Sequence, residues 1–178
     1  MVNVLFVCTA NIARSPYAER RLVHLVPDSV VVGSAGIPGY PGRPMDGPMA
    51  ALLEEHGIAG DGHVSRVLTD ELLAHADLVL TMALAHHTGI LDRWPHARHK
   101  VFGLQQFADA LTRVTETAWE PPEDLVAAAR SESRPDSMTW DVPDPYRRGK
   151  RAARKAAAII DAAVEQVADA LARPRRAL

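Results

Sequence analysis

The chain holds one cysteine in 178 residues, Cys8. No disulfide can form within it, and a lone thiol near the start of a chain has to be read for reactivity rather than for cross-linking. Strong charge of either sign is missing too: 20 Lys and Arg against 22 Asp and Glu leave a formal net charge of −2. Nothing in that balance points to a nucleic-acid surface. Long apolar runs are absent, since no window reaches the roughly eighteen residues of a membrane span. The N-terminus shows no basic region leading into an apolar stretch with a cleavage site. A cytoplasmic location without membrane contact is the expectation, and a reducing compartment would keep the thiol intact. There is no internal repeat and no low-complexity tract. With 47% apolar residues, the length suits one domain with a sizeable core over residues 1–178.

What is there is concentrated in Val4-Leu5-Phe6-Val7-Cys8-Thr9-Ala10-Asn11-Ile12-Ala13-Arg14-Ser15-Pro16. An apolar, β-branched run of strand length ends at Cys8, a stretch of small and polar residues follows, and Pro16 opens a helical pattern. A short loop running into a helix N-terminus turns unpaired backbone N–H groups and a partial positive charge toward one point, which favours a phosphate-sized anion. Arg14 adds a planar fork able to hold two oxygens of a tetrahedral anion. A cysteine at the mouth of the same loop feels those donors and that cation, which favours its thiolate. Cys8 is therefore placed to attack phosphorus.

Taken in order, residues 2–7 read as a strand buried on both faces, and 16–26 as a helix turning Glu19, Arg20 and Arg21 to water. Residues 29–33 are a second strand ending in Ser34-Ala35-Gly36. The strand–helix–strand order predicts a right-handed parallel crossover with its ligand at the carboxyl ends of the strands, which puts Cys8 and Ser34 on one edge. Four glycines and four prolines mark 36–48 as an irregular loop whose only aromatic is Tyr40, either a wall for a substrate ring or a cover for loop backbone. Helices are expected over 49–56 with Gly57 as C-cap, 69–75 with Thr69 as N-cap, 84–94 and 104–111, with strands at 77–82 and 100–102. The alternation predicts an α/β fold, a three-layer α/β/α sandwich around a four-stranded parallel sheet with the phosphate-binding loop after strand 1. Residues 112–140 break the rhythm: Glu120-Pro121-Pro122-Glu123-Asp124 resembles a helix start, 126–130 continues it, and 131–136 is a polar loop. The segment reads as an inserted surface excursion, or as a flap gripping substrate. Residues 147–171 form one amphipathic helix through Ala153, Ala156, Ile160, Val164, Val167 and Leu171, with a basic start, Arg147 included, that suits a solvated face or, as a weaker role, a salt-dependent attraction of acidic phosphopeptides. His86-His87 and the pair His96 and His99 lack the ligand spacing of a metal site and read as surface or packing residues.

Cys8 to Pro16 resembles the signature loop of the low-molecular-weight protein tyrosine phosphatases. Ser34-Ala35-Gly36, His56-Gly57-Ile58, His63-Val64-Ser65-Arg66, 76–82 and Asp144-Pro145-Tyr146 stand in that family's order, so the resemblance covers most of the chain. It implies hydrolysis of phosphotyrosine in a protein through a phosphocysteine, with inorganic phosphate as product and with no metal or other cofactor. Cys8 would be the nucleophile and Arg14 the phosphate clamp. Asp144, set in extended backbone by Pro145, would be the acid and then the base, with Asp141 as the competing carboxylate. Thr9, Ala10, Asn11, Ile12, Ala13 and Ser15 would make up the loop, Ser15 donating to the thiolate. Asn11 would be tied to Ser34 and His63, and Tyr40 and Tyr146 would wall the substrate ring.

Three departures from the family stand out. Ala13 replaces a second cysteine found in many members, Tyr146 is followed by Arg147 rather than by a second tyrosine, and Met82-Ala83-Leu84 lacks an acidic residue. Arsenate reductases of this shape need further redox cysteines, which this chain does not have. Protein-arginine phosphatases carry threonine where Ile12 stands, and the bulky apolar side chain favours an aryl ester. A phosphoprotein-binding module without turnover would need Arg14 but not Cys8 and Asp144 together.

Overall fold

The computed structural model describes residues 1–114 and 123–172. Four strands form one parallel sheet in the order β2-β1-β3-β4: β1 Val2–Cys8, β2 Val30–Gly36, β3 Leu78–Thr81 and β4 Val101–Gly103. The central position of β1 explains its unbroken apolarity. Val4, Phe6 and Cys8 face one cluster while Leu5 and Val7 face the other, the period-two alternation of a strand covered on both sides.

Seven α-helices lie among the described residues: α1 Arg14–Leu25, α2 Gly47–Glu55, α3 Asp70–His75, α4 Leu84–Arg93, α5 Leu104–Leu111, α6 Glu123–Glu132 and α7 Gly149–Leu171. On one face α7 packs against α1, α2 and α5, and all six stripe residues from Ala153 to Leu171 are buried. The opposite face is closed by Leu73 of α3, Ile90 of α4, Trp94 and Ala97, the last in a 3₁₀ turn at Pro95–His99. The result is the three-layer sandwich that the alternation predicts.

Several boundaries differ from the expectation for physical reasons. Strand β2 runs on through Ser34-Ala35-Gly36, because Cys8 pairs with Gly36 and the Gly36 N–H is taken by Arg66 O at 2.9 Å. Helix α1 begins at Arg14, so Pro16 is its third residue, still among the N–H groups that lack an intrahelical partner. Arg21 is not turned to water. It is 5% exposed and donates to Asp161 of α7 at 2.7 Å, where the Tyr17 hydroxyl also donates at 3.1 Å. Burial, then the Asp161 carboxylate, push the Tyr17 phenol above its ordinary pKa. Helix α7 begins at Gly149 rather than at 147, because Arg147 sits in the left-handed region at φ 57 and cannot belong to the first turn. Helix α6 reaches Glu132, two residues into the expected loop, while 120–122 lie outside the described residues. The Thr69 cap is as expected, its hydroxyl oxygen accepting from Leu72 N at 3.2 Å.

The β1 and β2 ends are pressed together at Gly36. A β-carbon there would lie 2.8 Å from Thr9 O and 2.8 Å from Gly39 Cα, closer than any side chain can sit. We expect Gly36→Ala to destabilise the fold by about 2 kcal/mol, the scale of overpacking against backbone, which urea unfolding will measure.

Candidate active site

Residues 9–13 form a loop between β1 and the first turn of α1, and its direction is set by its carbonyls. Cys8 O accepts from Ile37 N, Thr9 O from Gly39 N, Asn11 O from His63 Nε2 and Ile12 O from Asp46 N, at 2.7 to 3.0 Å. In a trans peptide the N–H points opposite to the preceding carbonyl. The N–H groups of Thr9, Ala10, Ile12 and Ala13 therefore turn away from those partners, to the side where these four residues line a cleft of about 550 Å³. That cradle runs directly into the positive end of α1.

Asn11 holds the middle of the loop in left-handed backbone at φ 58, which asparagine tolerates better than most residues. It is fully buried. Its Nδ2 donates to Ser34 Oγ at 2.7 Å and to Ser15 Oγ at 3.0 Å, and its Oδ1 accepts from Arg66 N at 2.9 Å. The structure thus brings Asn11, Ser34, His63 and Ser15 together. Sequence reasoning missed the next ring out. Arg66 Nε donates to Ser34 O at 2.8 Å, and Ser34 Oγ donates to Glu19, a carboxylate expected to face water.

Cys8 Sγ lies at the end of β1, 2% exposed, and receives the Asn11 N–H at 3.3 Å. Ser15 Oγ is 3.0 Å from the sulfur. Because Asn11 Nδ2 already donates to that hydroxyl, its own proton is free to point at sulfur, the Ala35 carbonyl lying farther off at 3.4 Å. Arg14, buried to 5%, donates through Nη1 to Val142 O at 3.0 Å and pairs through Nη2 with Asp144 Oδ2 at 3.1 Å. Its Nε has no partner among the described residues. Asp144 is exposed, accepts the Tyr146 N–H at 3.2 Å and lines the same cleft as Cys8. Asp141 is engaged elsewhere: its Oδ1 accepts from Leu84 N at 2.8 Å at the start of α4. Tyr40, Tyr146 and Ile12 all line the cleft, and both tyrosines are exposed.

Two further residues of the cleft, Asp46 and Arg43, went unread in the sequence. Asp46 lines the cleft, its pKa raised by burial first and by Asp144 second. Arg43 and Arg147 lie at the rim. Of the surface and packing readings of His86 the structure takes packing: at 5% exposure its Nε2 is 2.8 Å from Thr9 Oγ1, behind the loop. Its only sequence signal was a place just inside the helix that follows β3, on the ligand-bearing edge of the sheet. Among the described residues no three His, Cys, Asp or Glu side chains converge as a metal site would.

The sequence model of the family described as "Low molecular weight phosphotyrosine protein phosphatase" matches residues 3–124. The low molecular weight protein-tyrosine-phosphatase Etp of Escherichia coli is 29% identical over 171 residues, 96% of this chain and 95% of that protein. Among solved structures, the YwlE arginine phosphatase from Geobacillus stearothermophilus superposes with a TM-score of 0.76 at 27% identity, covering 95% of this chain and 92% of that one. Wzb from Vibrio vulnificus, solved in complex with benzylphosphonate, does so at 0.72 and 29%, covering 94% and 97%.

Burial, and then the Arg14 cation, push His86 down to about 4 from the ordinary 6.5, against a smaller pull from Asp144. Below about pH 6.5 the unfolded chain takes up a proton that the folded one refuses until about pH 4, so folding stability falls as pH drops through that window and is fully present at pH 7. We expect a loss of up to about 3 kcal/mol across it, and a correspondingly flatter pH dependence in His86→Asn, read from denaturant midpoints at several pH values.

Proposed function

Since this chain belongs to the low molecular weight phosphotyrosine protein phosphatase family, we propose that it hydrolyses phosphotyrosine in proteins through a phosphocysteine on Cys8, with Arg14 as clamp and Asp144 as acid and then base. The observation that carries this assignment is the meeting of Cys8, Arg14 and Asp144 in one cleft, with Asp144 3.1 Å from Arg14. A phosphate dianion entering the loop would take over the Arg14 donors and the inward N–H groups, leaving Asp144 at the outward, leaving-group side.

In the first step the Cys8 sulfur forms a bond to phosphorus as the bond to the phenolic oxygen breaks, and Asp144 gives that oxygen its proton. The spreading charge on the three remaining oxygens is met by Arg14 and backbone N–H groups already in place, which costs no reorganisation during the reaction. In the second step water attacks phosphorus, Asp144 takes its proton, and the sulfur leaves as a thiolate with inorganic phosphate as product. Ser15, 3.0 Å from Sγ, stabilises that leaving thiolate, and no cofactor is called for. Asn11, Ser34 and His63 act by holding the loop, and Tyr40 and Tyr146 by flanking the ring.

Ile12 and the two tyrosines present an apolar slot suited to a flat ring. A relative with the same fold, Wzb from Vibrio vulnificus, was solved with benzylphosphonate, an aryl-bearing phosphonate. The likeness to an arginine phosphatase makes phosphoarginine the second reading. The aliphatic Ile12 weighs against it, because a charged guanidinium gains nothing from that contact. We read residues 1–178 as one domain. No described helix is long and apolar enough to cross a membrane, and the need of a thiol nucleophile for a reducing compartment supports a cytoplasmic location.

Cys8→Ser should cut turnover of aryl phosphates at least about 1,000-fold, as loss of a nucleophile does. Retention of wild-type rates would remove the assignment. Asp144→Ala should lower kcat/KM, which reports only the first step, by about 100-fold or more for phenyl phosphate and far less for 4-nitrophenyl phosphate, because only the poorer leaving group needs the proton there. Equal losses on both esters would deny Asp144 the role of acid. Matched phosphotyrosine and phosphoarginine peptides separate the two readings.

A further inference from the structure

The lips of the cleft repeat one pairing. The loop after β2 brings Tyr40 and Arg43 to the lining of the cleft, and the loop before α7 brings Tyr146 and Arg147. Both arginines rise from backbone that is fixed by hydrogen bonds. Arg43 N donates to Ser65 Oγ at 2.8 Å, Arg43 O accepts from Ser65 N at 2.8 Å, and the same hydroxyl donates to Tyr40 O, so one serine clamps both ends of the lip. Arg147 sits at φ 57 with its guanidinium 5.2 Å from the centre of the Tyr146 ring, and Arg148 N closes the turn onto Pro145 O at 3.0 Å.

Neither arginine pairs with a carboxylate among the described residues, whereas Arg14, Arg21, Arg113 and Arg154 all do. The chain as a whole is slightly acidic, so exposed, unpaired cations on both lips do not follow from overall composition. The two acids of the cleft do not neutralise them. Asp144 is engaged by Arg14 and the Tyr146 N–H, and Asp46 has one carboxylate oxygen buried without a partner.

We propose that Arg43 and Arg147 form an anion subsite on the two lips of the cleft, taking acidic groups that flank phosphotyrosine in the substrate chain. The idea rests on the phosphotyrosine reading above. A peptide whose phosphotyrosine reaches down between Tyr40 and Tyr146 to Cys8 has to cross both lips, and its neighbouring side chains then meet guanidinium forks. Those forks accept a carboxylate or a second phosphate equally well in geometry, two oxygens to two N–H groups. Because the lips are exposed, each contact is modest and salt-sensitive, and it acts on capture of the peptide rather than on the chemical step.

The test compares phosphotyrosine peptides of one length with neutral flanks, with Asp and Glu flanks, and with a second phosphotyrosine. Wild-type kcat/KM should rise by about two- to fivefold per acidic neighbour at low ionic strength and converge toward the neutral peptide as salt is added. In Arg43→Glu/Arg147→Glu the acidic-to-neutral ratio should fall below one, and in Arg43→Gln/Arg147→Gln it should fall to about one. A gain for the second phosphate alone would narrow the ligand to phosphate, and a gain for both keeps the shared anion chemistry. Equal kcat/KM for all peptides in the wild type, or an unchanged ratio in both variant pairs, overturns the subsite while leaving the phosphatase reading intact. Failure to turn over any of the peptides removes that reading and the subsite with it.

Discussion

The cleft depends on Asn11 being held left-handed in the middle of a five-residue span between a strand and a helix. That conformation costs about 1–2 kcal/mol for a residue with a β-carbon. Two buried bonds donated by the Asn11 amide to Ser34 and Ser15, and a part-buried one accepted from Arg66 N, offset it at about 1 kcal/mol each. The bend turns the loop carbonyls out onto residues 37, 39, 46 and 63, so the amide hydrogens turn in. The oxyanion cradle is therefore a consequence of where the carbonyls find partners. The same bonds explain why segments far apart in the chain, at 34–39 and 63–66, are drawn around it.

The other half of the cleft is strapped to the sheet. Val142 N donates to Met82 O at 2.8 Å, Asp141 accepts from Leu84 N, and Gln105 Nε2 donates to Trp140 O at 2.9 Å. These bonds carry the chain past the ends of β3 and β4 and deliver Val142 O and Asp144 to Arg14. The departure noted at Met82-Ala83-Leu84 has its counterpart here, because Asp141 brings a carboxylate back to a segment that has none of its own. The two carboxylates lie differently: Asp141 is occupied at a helix start, and Asp144 lines the cleft beside Arg14.

His86 shows how packing chooses between the two readings, surface or packing, that its spacing leaves open. A histidine beside a second histidine on a surface-like helix carries no sequence cue of burial, yet α4 starts at the ligand edge and turns His86 behind Thr9. On α1, Glu19 is taken by Ser34 of β2 and Arg21 by α7. A 3.6-residue period marks one face of a helix as apolar, but it cannot register a second helix crossing the other face, and α7 arrives there with Asp161.

Local chemistry was enough for a good deal. Strand-length apolar runs, the small-residue loop, the Thr69 cap and the six-residue stripe of α7 are written in adjacent side chains, and they determined the alternating layers and the position of Cys8 and Arg14 on one loop. The tertiary structure alone decided which carboxylate faces Arg14, that Glu19 and Arg66 brace Ser34, that His86 is buried and kept neutral, and that Arg43 and Arg147 share a rim. Each of those depends on contacts between segments far apart in the chain, and a contact of that kind leaves no period or motif in the residues that make it.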